Sequence, residues 1–210
     1  MNKNWMKNLL ATALILAAVP AAVAEYRAER QRQLLDIGAR QGAYIELGMH
    51  NYQFSAYDKA EYRDILEEYI ALFPERLLPY FEKARLFVLE GRLDEVRAAL
   101  KPVEHRWEVK QYICMFEEYR GMPSADVDAC LRETTAAMRD AGFSLESDGT
   151  SEGDMRRSSL IATMCYSGEL GPDELAELMA DSDPMRRYLQ RIDRAKMARK
   201  MFSKRSDSLM

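Results

Sequence analysis

The side chains best suited to chemistry in this chain are two histidines and three cysteines. His50 and His105 have no second histidine within one helical turn, and no two cysteines form a C-x-x-C pair. Cys114 lies nine residues from His105, which separates the two by about 13.5 Å along one helix. A pairing of Cys165 with either histidine stays open. The spacing therefore predicts no catalytic residue, no cofactor and no metal.

Carboxylates are abundant, but their spacing is that of a solvated surface. Neighbouring acids such as Glu67 and Glu68 diverge by about 100° around a helix, so adjacency alone does not make a catalytic pair. The acidic, serine- and glycine-rich segment 144–154 lacks the ligand positions and the closing glutamate of a calcium loop. We expect this segment to be a mobile loop.

The cysteines allow one disulfide. Cys114 and Cys130 are equidistant from Met122, the centre of a Gly-Met-Pro break. If that break joins two antiparallel helices, the two sulfur atoms lie at the same height on facing helices, which permits a bond. A disulfide between Cys114 and Cys130 is one prediction. Three buried thiols acting as small apolar residues are the alternative.

The first 24 residues have the pattern of an export signal. Two lysines precede an apolar run, Leu9–Ala24, which ends in Ala-Val-Ala, the small-residue pattern that signal peptidase accepts. Pro20 is expected to end the apolar helix and leave a cleavable segment. A retained membrane anchor is the alternative, although 16 helical residues span only about 24 Å. These features predict a periplasmic or otherwise exported protein, or an inner-membrane-anchored protein that faces the periplasm.

Charge is distributed unevenly over the rest of the chain. Residues 25–183 contain 32 acids and 19 bases, whereas residues 184–205 contain nine bases and one acid. The chain therefore divides into an acidic body, 25–183, and a basic C-terminal helix and tail, 184–210. Such asymmetry concerns partners rather than fold, and nucleic acid is not expected because the exported body is acidic.

Apolar residues recur at helical spacing throughout, and no segment alternates like a strand, so the fold class is all-α. The expected architecture is a set of antiparallel helical hairpins, stacked as a short solenoid or packed as a compact domain. Helices are predicted near residues 26–50, 58–73, 75–90, 93–103, 104–120, 124–141 and 155–167, followed by a short helix from 172 and the basic helix from 184. Gly91 and Gly142 are expected to end the helices that precede them, and Ser124 is expected to cap the start of the helix near 124–141.

One segment, residues 62–103, resembles the tetratricopeptide repeat. Large, small and turn residues occupy the positions that this repeat favours in a unit beginning at Leu77; they are Tyr80, Ala84, Phe87, Gly91, Leu93 and Val96. Pro74 matches the proline that closes a preceding unit, whereas Glu108 stands where the next closing proline would be. The resemblance implies paired helices that form a curved surface for peptides or protein partners.

Two groups of side chains are candidates for binding a partner: tyrosines less committed to the core, and the cations of the basic helix. They are Tyr44, Tyr52 and Tyr57, and Arg186, Arg187, Arg191, Arg194, Arg199 and Lys200. On a single helix from 184 an apolar stripe is expected on one side, with the cations around the rest; it consists of Met185, Tyr188, Leu189, Ile192, Ala195 and Phe202. The basic helix has three open interpretations: it docks on the acidic body, contacts an acidic partner protein, or lies on anionic lipid.

These observations favour an exported, non-enzymatic adaptor or accessory subunit that binds a protein or peptide partner in a cell-envelope assembly. One alternative is a structural component of an envelope complex, held at the membrane by residues 1–24 and the basic helix. A hydrolase with a dispersed active site is the second alternative, because such a site leaves no local spacing to recognise.

Overall fold

The computed structural model describes residues 3–49, 55–146, 149–179, 184–190 and 193–202, and within these ranges it is helical with no strand. The all-α prediction is confirmed. The helices are α1 (Lys3–Met49), α2 (Ala56–Leu72), α3 (Leu78–Leu89), α4 (Leu93–Leu100), α5 (Trp107–Arg120), α6 (Ser124–Asp140), α7 (Ser151–Tyr166), α8 (Pro172–Leu178), α9 (Pro184–Leu189) and α10 (Arg194–Phe202), with a 3-10 turn at Lys101–Val103.

The chain divides into two compact units, Met1–Pro79 and Tyr80–Met210. In the first unit α2 packs along α1, and Ile37, Tyr69 and Phe73 form the buried contact. A capping box starts α2: the Ser55 hydroxyl accepts from the Asp58 amide at 3.2 Å, and the Asp58 carboxylate accepts from the Ser55 amide at 2.8 Å. An apolar seam thus holds α1 against α2, and the capping box fixes the start of α2.

The expectation that Pro20 ends the apolar helix is wrong, because α1 continues through it from Lys3 to Met49. A proline inside a helix removes one backbone hydrogen bond, and the flanking turns can carry the helix past it. Among the residues whose side chains the structure describes, no helix is long and apolar enough to span a membrane. The side chains of residues 3–22 lie outside that set.

In the second unit α5, α6 and α7 pack one on the next, and α10 returns to lie on α5. The seam between α6 and α7 is apolar and contains Met138, Leu160 and Met164. Trp107 closes it with an edge-to-face contact to Phe143, whose ring centroid is 5.3 Å away. The basic C-terminal segment is therefore built into the same unit as the middle helices.

Glycine ends the helices as expected at Gly91 and Gly142, which have φ values of 70° and 85°. After α6 the amide of Phe143 bonds back to the Met138 carbonyl at 3.1 Å, a turn that needs the left-handed residue before it. The expectation that Ser124 caps α6 is wrong: Pro123 holds the capping position and Ser124 begins the helix. Proline supplies the extended backbone there without a side-chain hydrogen bond.

The predicted loop 144–154 is shorter in the structure, because α7 already begins at Ser151. The Thr150 hydroxyl accepts from the Gly153 amide at 2.9 Å, which caps the helix. Glu152 and Asp154 then fall in the first turn, where negative charge is favoured by the helix dipole. Local composition suggested a loop, but capping chemistry made its last four residues helical.

The basic C-terminal helix is two helices rather than one. Asp193 starts α10: its carboxylate accepts from the Lys196 amide at 2.8 Å, and its carbonyl accepts from Met197 at 2.9 Å. An aspartate at this position is a strong start signal, since it satisfies amides that have no partner within the helix. The chain can therefore change direction between α9 and α10.

Candidate functional site

Arg194, the first residue of α10, is enclosed by three other helices. Its guanidinium donates to Glu118 at 3.0 Å and also to Asp128, forming an ion pair with each. It donates in addition to the Tyr166 carbonyl at 2.7 Å and to the Ser124 carbonyl at 3.4 Å. The Arg194 side chain is 15% exposed and that of Glu118 is 9% exposed. This one residue thus ties α10 to α5, α6 and the end of α7.

The sequence named Arg194 as a candidate for contacting a partner, and in the structure its guanidinium donors are engaged inside the chain. Its contacts with Glu118 and Asp128 are those that the first interpretation of the basic segment expects, docking on the protein's own acidic body. Arg186 donates to the Met179 carbonyl at 3.1 Å. Arg187 and Arg199 have exposed side chains and stay partner candidates.

Aromatic packing fixes the other end of α10. Phe202 is buried, and its ring centroid lies 5.2 to 5.5 Å from the rings of Tyr112, Phe116 and Tyr119 on α5. Such contacts add packing energy beyond the apolar area that they bury. With Arg194 at one end and Phe202 at the other, α10 is held along its whole length.

An open groove of about 410 Å³ lies in the second unit beside α10. Its walls come from α3, α5, α9 and α10, and its lining is rich in aromatic and methionine side chains. The lining residues are Phe81, Glu82, Arg85, Tyr112, Tyr188, Met197 and Met201. We call this feature the methionine–aromatic groove. Its size falls in the range of pockets that hold a side chain or a small molecule.

One wall of this groove is polar and prearranged. Arg85 Nε donates to Glu82 Oε2 at 2.8 Å, and a second guanidinium nitrogen bonds to the same oxygen. Both side chains are largely buried, at 14% and 9% exposure. Charged groups held in this way inside an apolar surface can orient a ligand by hydrogen bonds.

The opposite wall consists of flexible side chains that are partly exposed. Tyr188 is 51% exposed, and its hydroxyl points to the Met197 sulfur at 3.4 Å, while Met201 is 40% exposed. Methionine adapts its shape to what it contacts, which suits a surface that accepts apolar side chains of different shapes. The groove can therefore hold an apolar anchor between flexible and fixed walls.

The sequence did not identify the groove. Met197 and Met201 are one helical turn apart and so share a face of α10, but the apolar stripe expected for a single long helix excluded both. Phe81 and Tyr112 had the spacing of core residues, and their ring centroids do lie 5.0 Å apart. The spacing of Met197 and Met201 was the signal that the sequence offered. It could be interpreted as one wall of a groove only once α10 was known to begin at Arg194.

Of the three candidate tyrosines, the structure describes the side chain of Tyr44. Tyr44 lies in the first unit with its ring stacked on buried Tyr62, at 4.9 Å between centroids. Tyr52 and Arg191 lie outside the described residues, as do the side chains of Tyr57 and Lys200.

The three cysteines differ in their bonding state. Cys114 and Cys130 are joined by a disulfide that links α5 to α6, with 5.7 Å between their Cα atoms. Cys165 carries a free thiol and packs in the apolar cluster around Ile161, Leu175 and Leu189. Burial raises the pKa of the Cys165 thiol, because the thiolate is poorly solvated there.

Cys165 should therefore alkylate more slowly in the folded protein than in urea. At neutral pH the raised pKa leaves less thiolate, which is the form that reacts with iodoacetamide. The alkylation rate, followed by mass spectrometry from pH 7 to 10, should reach its half-maximum at higher pH in the folded protein. Coincident profiles in the two states would contradict this assignment.

A neighbouring tyrosine responds to the same apolar surroundings. Burial raises the pKa of Tyr166 to about 12, and a hydrogen bond with Tyr188 adds to the shift.

The described residues contain no cluster of three or more histidine, cysteine or acidic side chains placed to hold a metal ion. Comparisons with protein-family models, with curated proteins and with solved structures give no match for this chain.

Proposed function

We propose that this protein is an exported, non-enzymatic adaptor that holds a segment of a partner protein in a cell-envelope assembly. The methionine–aromatic groove carries the proposal, because it combines adaptable apolar side chains with the fixed Glu82–Arg85 pair. An apolar anchor of the partner would enter the groove, and the ion pair would meet polar groups of its backbone.

Charge indicates the kind of partner. The helices that line the groove also carry exposed cations, namely Arg187 on α9 and Lys196 and Arg199 on α10. An acidic segment with apolar anchors would be steered towards this face, and its association rate would fall as salt rises. An exported protein would meet such a partner in the cell envelope. The resemblance to the tetratricopeptide repeat implies the same class of function.

The substitution Met201→Glu, which introduces a negative charge, should lower partner recovery by about tenfold, because a carboxylate cannot enter an apolar pocket beside Glu82 without losing its water. A photo-crosslinking residue at position 188 would report whether the partner lies in the groove. Recovery from native envelopes, measured by quantitative mass spectrometry, provides the readout.

Met155→Glu is the matched control, since Met155 is 67% exposed and lies outside the groove. It should leave recovery unchanged. Equal recovery with both variants, or no crosslink from position 188, would argue against the groove as the binding surface.

A membrane-anchored structural component is the second candidate, and the continuity of α1 favours it. A helix that runs unbroken from Lys3 to Met49 does not present an extended peptide at Ala24, where a signal peptidase would cut. The N-terminal sequence of the mature protein separates the two candidates: a start at Glu25 supports the exported adaptor, and an intact Met1 supports the anchored component.

A further inference from the structure

A second hollow, of about 460 Å³, lies in the second unit and shares no residue with the methionine–aromatic groove. Its walls are α4 with the 3-10 turn, α5 and α6. Most of its lining residues carry charged or polar groups; the lining consists of Arg97, Lys101, Glu104, His105, Lys110, Ile113, Cys130 and Glu133. We call it the charged hollow.

The charged residues of this hollow fall into one cation that is paired and four groups that are not. Arg97 pairs with buried Glu117, with its Nε 3.4 Å from a carboxylate oxygen. Across the described residues, by contrast, no ion pair or side-chain hydrogen bond engages Lys101, Lys110, Glu104 or Glu133. Two cations and two carboxylates of the lining thus keep hydrogen-bonding capacity that a ligand could use.

The floor of the hollow is rigid. Cys130 lines it and is bonded to Cys114, so that α5 and α6 cannot separate beneath Lys110 and Glu133. Ile113, which is buried, supplies the apolar base. A ligand would thus meet charges whose backbone positions are already set, which lowers the entropy lost on binding.

We propose that the charged hollow binds a small zwitterionic ligand, with its phosphate or carboxylate group on Lys101 and Lys110 and its ammonium group on Glu104 and Glu133. A simple anion would satisfy the lysines but would face two unpaired carboxylates. A simple cation would satisfy the carboxylates but would face two unpaired lysines. A ligand that carries both charges pairs with all four groups, and a volume of about 460 Å³ accommodates one of this size.

Isothermal titration calorimetry of the full-length protein with two soluble probes tests the proposal. Phosphoethanolamine carries both charges, whereas inorganic phosphate carries only the anion. The wild type should bind phosphoethanolamine about tenfold more tightly than phosphate, since charge-assisted hydrogen bonds to the acids add to those of the lysines. Lys110→Gln should weaken both probes by about tenfold. Glu133→Gln should weaken phosphoethanolamine alone.

Lys196→Gln is the matched control, because Lys196 is exposed on α10 and lies outside the hollow. It should bind both probes as the wild type does, and circular dichroism confirms that each variant is folded. Three results would overturn the proposal: neither probe binds, phosphate binds as tightly as phosphoethanolamine, or Lys110→Gln and Glu133→Gln match the control. None of these bears on the methionine–aromatic groove, whose test uses other residues.

Discussion

The variant Arg194→Met should lower the free energy of unfolding of the second unit by about 3 kcal/mol. Its guanidinium is the ion-pair partner of Glu118, which is 9% exposed, and it also pairs with Asp128. Removing the cation leaves a largely buried carboxylate without compensation and frees the Tyr166 carbonyl. Urea unfolding followed by circular dichroism measures the loss.

Two companion variants show whether the ion pair itself is responsible. Lys196→Met removes an exposed cation from the same helix and should change the free energy of unfolding by no more than about 0.5 kcal/mol. The double variant Arg194→Met with Glu118→Gln should recover part of the loss, since the uncompensated charge is gone. A loss equal to that of Lys196→Met would show that α10 is held by Phe202 and its aromatic neighbours alone.

Arg194 also shows what the sequence of the basic segment could not predict, namely which acids its cations contact. Nine bases in 22 residues are visible in the sequence, and they do predict attraction to acid. Which acid they meet depends on α10 returning to α5, a contact between residues 76 positions apart. Local periodicity carries no information about such a pairing, so docking and partner binding could not be separated.

Helix identity and helix ends were predictable to different degrees. Periodicity and the glycines at 91 and 142 located the helices because both signals act over a few residues. Two of the misplaced ends depended on side-chain caps, Thr150 for α7 and Asp193 for α10, which lie in stretches whose composition resembled a loop or a continuous helix. Capping is worth about 1 kcal/mol, enough to move a boundary by several residues.

The two hollows also differ in how much of each could be predicted from the sequence. Met197 and Met201 share a face, so half of one groove wall was readable from spacing. The other wall needs α3 and α5 beside α10. The charged hollow draws on α4, α5 and α6, and its feature of interest, charges that do not pair, is a matter of distance rather than of residue type. No spacing rule predicts which side chains stay apart.

Loss of the disulfide between Cys114 and Cys130 should have an effect as large as that of Arg194→Met. The bond closes a short loop with a sequence separation of 16, and cross-linking such a loop stabilises the folded state by about 3 kcal/mol through the entropy of the unfolded chain. Reduction, or the double variant Cys114→Ala with Cys130→Ala, should therefore lower the Tm of the second unit by roughly 6 to 12 °C. Differential scanning calorimetry with and without reductant measures the shift.

Cys165→Ala separates this effect from the loss of a thiol in general. Cys165 is in no disulfide, so its removal should leave the difference between oxidised and reduced protein unchanged. The disulfide also lies under the charged hollow, and the reduced protein should therefore bind phosphoethanolamine more weakly as α5 and α6 gain freedom. If reduction left both Tm and binding unaltered, α5 and α6 would be held by their apolar seam, Val127 and Leu131 against α5, rather than by the covalent bond.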